Sequence, residues 1–453
     1  MSNKIKSSQL IPLSFLGAII IGTILLLLPI ATADGKGTDL VTALFTSTTS
    51  ICVTGLVVVD TFSYWSLFGK MVILVLIQLG GLGIITVTSV FILLFQKRFT
   101  LSQSIMLHDA FNLDSMDGLM KFLSGVIKGT LLVEFIGALI YMPTFIPQFG
   151  VLKGIWVSVF TAISAFCNAG IDIIGPNSLI DYNSNNLVLI NTMFLIVMGG
   201  LGYVVWFDVN SGIKEGIRKH YSGKLVLKRL REHSKLVIRL TFTLIMVGAL
   251  GVFIMEYSNP DTIGDMSLWD KIINSIFQSV TFRTAGFASV PQQNLTEGTC
   301  AMGSLFMFIG GSPVGTAGGI KTVTFFMAIM NAVAFIRGRD ENVIFGRKIS
   351  SDLIRKSEAI IMVSFSVTFI MMLLIMITNK IGMIDAMYET FSATATVGLS
   401  RALTPTLNTV GRLLIITCMY LGRIGPISMA LFFDYGCSNK NNVSFAKGRF
   451  FVG

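Results

Sequence analysis

Apolar runs long enough to cross a bilayer, which takes about 20 residues, recur along the chain at roughly 10 to 31, 68 to 95, 122 to 146, 186 to 207, 236 to 256, 301 to 336, 357 to 379 and 409 to 433. Between the members of each successive pair lies a shorter stretch. It opens on an aromatic, passes through small and hydroxylated residues, and closes on a glycine. The four stretches read FTSTTSICVTGL from Phe45, FTAISAFCNAGI from Phe160, FQSVTFRTAGF from Phe277 and YETFSATATVGL from Tyr388. Their closing glycines, Gly55, Gly170, Gly286 and Gly398, stand 115, 116 and 112 residues apart. The period is therefore a domain-sized unit and not a solenoid repeat. The pattern predicts an all-α polytopic membrane protein of four tandem units, each a span, a pore loop and a span. Repeat 1 covers 1–96, repeat 2 covers 97–235, repeat 3 covers 236–356 and repeat 4 covers 357–453.

The short stretches cannot cross. From Asp39 to about Ile51 there is room for a helix of roughly 18 Å at 1.5 Å per residue, about halfway through the hydrocarbon, so the return leg must be extended. Unpaired backbone at that depth is tolerated only where protein shields it or it lines a watery path. Four such legs meeting on one axis make a pseudo-fourfold central pore. Glycine permits backbone angles closed to other residues, which lets successive carbonyls face one way. A ring of carbonyls can replace a cation's hydration shell, and the C-terminal ends of the descending helices favour positive charge there. The expected ligands are the main-chain oxygens of Val53, Thr54 and Gly55, of Asn168, Ala169 and Gly170, of Thr284, Ala285 and Gly286, and of Thr396, Val397 and Gly398.

A second landmark falls inside the second span of every unit: Gly80-Gly81-Leu82-Gly83, Gly199-Gly200-Leu201-Gly202, Gly310-Gly311-Ser312-Pro313 and Gly422-Arg423-Ile424-Gly425. In the first two, small residues are expected to let helices pack closely. In the third the landmark grows into GGSPVGTAGGIKT, with Val314, Gly315, Thr316, Ala317, Gly318, Gly319 and Lys321 following Pro313. So much glycine should unwind the span midway beneath the filter. Arg423 stands where repeat 1 has Gly81, and a guanidinium at that depth is costly unless paired or solvated. Unwound loop and arginine together read as a gate. The alternatives are an ordinary cytoplasmic loop, disfavoured by the apolar sequence on both sides, and a structural ion-pair partner for Arg423.

Composition places this chain in a bilayer. Of 453 residues 53% are apolar and 13% charged, about half the charge of a soluble protein. The net charge of +10 does not imply nucleic acid, because the basic residues sit in short segments between apolar runs. Lys4, Lys6, Lys97 and Arg98, the cluster from Lys214 to Arg239 and the cluster from Arg337 to Lys356 alternate with loops bearing Asp34, Asp60, Asp172, Asp181, Glu256, Asp261, Asp265 and Asp385. Both termini are thus expected in the cytoplasm, with all four pore loops entering from outside. The five cysteines form no CxxC pair, so neither a zinc site nor a disulfide framework is indicated, and the first apolar run reads as a span and not a removed signal peptide.

Other side chains carry narrower expectations. Arg283, next to Thr284, would oppose cations if it faced the ion path, so it should point away and brace the filter through a carboxylate or pore-helix carbonyls. Glu134, alone in the third span, reads as a paired structural acid, with a proton or sodium site as the alternative. His108, His220 and His233 lie in or near cytoplasmic segments and support no buried relay. Cys52 and Cys167 read as small packing residues.

With these features in order, the chain resembles the Trk/Ktr/HKT superfamily of potassium transporters, most closely the membrane subunit of the bacterial Ktr system. The resemblance runs over nearly the whole chain. It rests on the four units with one filter glycine each, on RTAGF at Arg283 to Phe287, on GGSPVGTAGGIK from Gly310, and on LGRIGP at Leu421 to Pro426. It implies potassium as the ion, because some sodium-carrying relatives replace the first filter glycine, here Gly55, by serine. It also implies a homodimer in the bacterial plasma membrane, each protomer with its own pore, seated on a cytosolic ring of RCK type that opens it with ATP and closes it with ADP. No catalysis and no cofactor within this chain are expected, and sodium is a candidate co-ion. The competing readings are a sodium-selective pore and a sodium- or proton-coupled carrier. A carrier with inverted repeats would contain odd span counts, whereas each unit here holds two. The dimer surface is open, with the tail Phe450 to Gly453 as a candidate contact.

Overall fold

The computed structural model describes residues 7–83, 119–339 and 341–425, and these are mostly helical. The stretch expected as repeat 1 holds α1 (Ser7–Leu27), α2 (Leu40–Ile51) and α3 (Leu67–Leu82). The stretch expected as repeat 2 holds α4 (Leu119–Phe149), α5 (Val151–Cys167), α6 (Asn186–Gly200) and α7 (Tyr203–Arg218). Next come α8 (Glu232–Glu256), α9 (Leu268–Phe282), α10 (Glu297–Phe308) and α11 (Thr322–Ile336). The last are α12 (Ser351–Asn379), α13 (Met383–Thr394) and α14 (Thr409–Ile424).

Helices α2, α5, α9 and α13 carry the four signature stretches, and they are the most buried elements. Phe45, Phe160, Phe277 and Tyr388 are fully buried at equivalent places. The enclosing helices are apolar outward as well as inward. Ile21, Phe135, Leu250 and Met362 are exposed, as expected of side chains that face lipid. Among the described residues, Phe122–Phe149, Glu232–Glu256 and Ser351–Asn379 are long and apolar enough to cross a membrane as single helices.

The expected span at 186 to 207 is not one helix. Chain direction turns by 100° between α6 and α7. The cause lies in the landmark glycines. Gly83, Gly202 and Gly425, the fourth residue of the landmark in repeats 1, 2 and 4, adopt φ of +83°, +88° and +87°; Gly83 and Gly425 cap the ends of α3 and α14, and Gly202 separates α6 from α7. Close packing, the role expected of these glycines, is present too. A Cβ on Gly80, Gly199 or Gly422 would strike the carbonyl of Ile51, Phe166 or Thr394 at the foot of the adjoining signature helix. The segment 301 to 336 is broken as expected, α10 stopping at Phe308 and α11 starting at Thr322. The latter parts of the expected second and eighth spans, Lys97, Arg98, His108, Pro426 and the tail from Phe450 lie outside the described residues.

Candidate functional site: a ring of four return legs

Each signature helix ends in a leg with the same backbone. Val53, Asn168, Thr284 and Thr396, none of them glycine, have φ of +55°, +61°, +67° and +52°. Two residues later Gly55, Gly170, Gly286 and Gly398 have φ of +97°, +63°, +81° and +97°. A left-handed conformation costs an L-residue about 1–2 kcal/mol. Its recurrence at one register in all four legs marks a geometry held against strain.

The pore helices brace these legs with hydroxyls. Thr49, Ser164, Thr281 and Ser392 each lie four residues after the opening aromatic. The Gly55 N–H donates to Thr49 Oγ1 at 3.0 Å and the Gly398 N–H to Ser392 Oγ at 3.0 Å. Ser164 Oγ accepts from the Ile171 N–H at 3.1 Å, and Thr281 Oγ1 donates to the Phe287 carbonyl at 2.6 Å. The carbonyls of the same four residues accept the N–H groups of Thr54, Ala169, Ala285 and Val397 at 2.8 to 3.1 Å. This brace was missed in the sequence, although a hydroxyl at the fourth position after each aromatic was its visible sign.

The four legs close on one another in cyclic order. A Cβ on Gly55 would meet the Ala169 carbonyl, and one on Gly398 the Thr54 carbonyl. On Gly170 it would lie 2.6 Å from the Ala285 oxygen, and on Gly286 2.7 Å from the Val397 oxygen. Each glycine thus sits against the middle carbonyl of the next leg, 1 to 2 to 3 to 4 and back to 1. A cavity of about 390 Å³ opens on one side of this ring and is lined by all four glycines together with Asp60 and Asp172. Cross-links tie its rim: the Leu179 N–H donates to the Ala288 carbonyl at 3.0 Å, and Tyr388 donates its hydroxyl to Gln292 Oε1 at 2.7 Å. Glu389, not singled out in the sequence, is buried on α13 and accepts from Ser400 Oγ at 2.7 Å and from Thr404 Oγ1.

Beneath the ring, residues 310 to 321 run as a loop whose polar groups are met by the break in repeat 2. The Ser312 N–H donates to the Gly200 carbonyl at 3.0 Å, the Thr316 N–H to the Gly199 carbonyl at 3.2 Å, and the Tyr203 N–H to the Val314 carbonyl at 2.9 Å. Ending α6 early leaves carbonyls without helical partners, and the loop uses them. Gly310, Gly311, Ser312, Thr316, Ala317 and Gly318 are buried, while Pro313, Val314, Gly315, Gly319 and Lys321 are half-buried. Gly318 packs on Thr396 Oγ1 of the fourth leg, so a Cβ there would overlap it. Lys321 donates to the Ala317 carbonyl at 2.7 Å.

Arg423 reaches this loop. Its Nη1 donates to the Thr316 carbonyl at 2.6 Å and its Nη2 to the Gly80 carbonyl. No carboxylate pairs with it among the described residues, and both acceptors it meets there are main-chain carbonyls. Arg283 is 7% exposed and borders a small cavity with Ile196, Thr241 and Gly311, away from the vestibule. It does not line the vestibule, and its Nε meets no acceptor among the described residues. Glu134 accepts from Gln78 Nε2 at 3.1 Å on both oxygens and lies 3.9 Å from Cys167 Sγ. Its partner is an amide and not a cation.

The TrkH family, described as cation transport proteins, matches residues 8–444. The chain is 37% identical over 445 residues to the Ktr system potassium uptake protein B of Bacillus subtilis, covering 98% of this chain and 96% of that one. It is 34% identical to the potassium/sodium uptake protein NtpJ of Enterococcus hirae, over 94% and 92% of the two chains. The Ktr system potassium uptake protein B of Vibrio alginolyticus is also 34% identical, over 93% and 90%. The crystal structure of the potassium transporter TrkH from Vibrio parahaemolyticus superposes with a TM-score of 0.73 at 14% identity, covering 95% of this chain and 86% of that one, a likeness of fold alone.

Proposed function

The chain belongs to the TrkH family of cation transport proteins, and from that premise we propose that it takes up potassium across the bacterial plasma membrane through the ring of four legs. It is a transporter and not an enzyme. The carrying observation is the cyclic contact of Gly55, Gly170, Gly286 and Gly398 with the next leg's carbonyl, at the floor of an outward cavity. Main-chain oxygens of Val53, Thr54, Asn168, Ala169, Thr284, Ala285, Thr396 and Val397, with those of the four glycines, coordinate the ion in place of water. Asp60 and Asp172 concentrate cations at the mouth.

Below the filter the loop at 310 to 321 obstructs the axis, and Arg423 holds it there. In this reading the loop is the gate, and a cytosolic nucleotide-binding ring acts on it. Support for a second subunit comes from relatives named as components of a Ktr system. ATP opens and ADP closes, the pore protein is a homodimer, and both termini face the cytoplasm. Sodium is the second reading, favoured by the relative named for potassium and sodium. Uptake of rubidium into proteoliposomes, with potassium or sodium as competitor, tests the proposal. Competition by potassium and not by sodium is expected; equal competition assigns the pore to both ions, and no ion uptake refutes it.

A further inference from the structure

A cleft of about 350 Å³ lies between α11, α12 and α14, below the fourth leg and apart from the vestibule. Its inner wall is apolar and buried, formed by Phe308, Ile320 and Ala395. Its outer wall is α12, whose Val363 is 44% exposed, so the cleft opens sideways where the helices meet lipid. Helix α12 is also the least covered of the crossing helices, with 17% of its apolar window buried.

Two lysines border this space, whose lining also includes the hydroxyls of Thr324, Ser364, Thr368 and Thr394. Lys321 ends the intramembrane loop and spends one of its donors on the Ala317 carbonyl. Lys356 on α12 is exposed and has no hydrogen-bond or ion-pair partner among the described residues. Among the described residues no carboxylate lines the cleft. Lys356 stands in the basic segment Arg347 to Lys356, which the charge pattern places on the cytoplasmic side. A largely apolar slot open to the bilayer, with two lysines in its lining, complements a molecule that has a hydrocarbon tail and an anionic head. Basic pockets between membrane helices on that side take acidic phospholipid head groups, and the volume lies within the range of small-molecule sites.

We propose that this cleft binds one anionic phospholipid of the inner leaflet. An acyl chain lies against Phe308, Ile320 and Val363, and the phosphate bridges Lys356 and Lys321. The acyl chain ends at Ala395, beside Thr396 of the fourth leg, and the phosphate grips the last residue of the loop. Any effect on gating rests on the reading of that loop as the gate; the binding does not.

The test is native mass spectrometry of the full-length protein, extracted in detergent and incubated with equal amounts of phosphatidylglycerol and phosphatidylcholine. Wild type should retain one phosphatidylglycerol through detergent exchange. Val363→Trp, which fills the slot, should cut that occupancy at least fivefold, and Lys356→Glu should remove the preference for the anionic lipid. Ile377→Trp, on the exposed face of the same helix, should change neither, which controls for folding. Equal retention by wild type and Val363→Trp overturns the proposal, as does equal binding of both lipids by wild type. Displacement of the lipid by inorganic phosphate alone would assign the site to the lysines and discard the slot. A cross-link in full yield between Val363→Cys and a cysteine introduced at 426–453 would show the chain's own tail in the cleft and likewise refute the lipid. Potassium uptake is not part of the readout, so the result stands whether or not the transport reading does.

Discussion

Arg423 and Thr316 are joined by a 2.6 Å hydrogen bond from Nη1 to the carbonyl oxygen, while Nη2 of the same guanidinium donates to Gly80. One side chain thus ties the loop of repeat 3 to the helix end of repeat 1 beneath the filter. A planar guanidinium can span two acceptors at once, which an ammonium cannot reproduce.

Removing that tie should loosen the gate. A hydrogen bond from a charged group contributes about 1.5–3 kcal/mol, and about 1.4 kcal/mol is tenfold in an equilibrium. Arg423→Gln is therefore expected to raise basal ion flux of the chain alone by roughly tenfold or more, with Arg423→Lys intermediate. Flux assays in proteoliposomes without any regulatory subunit decide it. Unchanged basal flux in both variants would place Arg423 outside the gate.

Shortening the loop should act in the same direction. Deleting part of Gly311 to Gly318 removes the contacts of Ser312 and Thr316 with Gly200 and Gly199 and, on the proposed reading, clears the axis. Higher flux with weaker dependence on the cytosolic partner is expected. Equal or lower flux from a protein that still elutes as wild type in size-exclusion chromatography argues against gating.

The hydroxyl brace makes a subtler prediction. Thr49→Val leaves the buried Gly55 N–H without its acceptor, at a cost of about 1–3 kcal/mol, while Thr49→Ser restores it. Potassium over sodium preference should fall in the valine variant and recover in the serine variant. Preference retained in Thr49→Val would mean that the leg's shape does not depend on the brace.

Gly55 is under two constraints. Its φ of +97° is closed to side chains, and a Cβ would press on the Ala169 carbonyl, itself an expected ligand. Gly55→Ser should therefore admit sodium, measured as the ratio of sodium to potassium inhibition of rubidium uptake. An unaltered ratio would separate this glycine from selectivity.

Much of the site was legible because repetition amplifies weak signals. One aromatic-to-glycine stretch means little, but four at nearly equal spacing located Gly55, Gly170, Gly286 and Gly398, and the glycine-rich run located the loop. Less visible was anything requiring two distant segments. That α6 breaks at Gly200 follows from the landmark's last glycine taking positive φ, but the acceptors this frees for Ser312 and Thr316 belong to another repeat. Arg423 had no readable partner because backbone carbonyls leave no trace in composition. Arg283 is buried beside Gly311 with no acceptor for its Nε among the described residues, a setting that the five residues around it do not encode.

Coordination of the ion by the four legs is tested most directly by anomalous scattering from crystals grown in rubidium. Density on the axis enclosed by Val53, Asn168, Thr284 and Thr396 is the predicted result. A ring free of rubidium, with the ion bound elsewhere in the molecule, would contradict it.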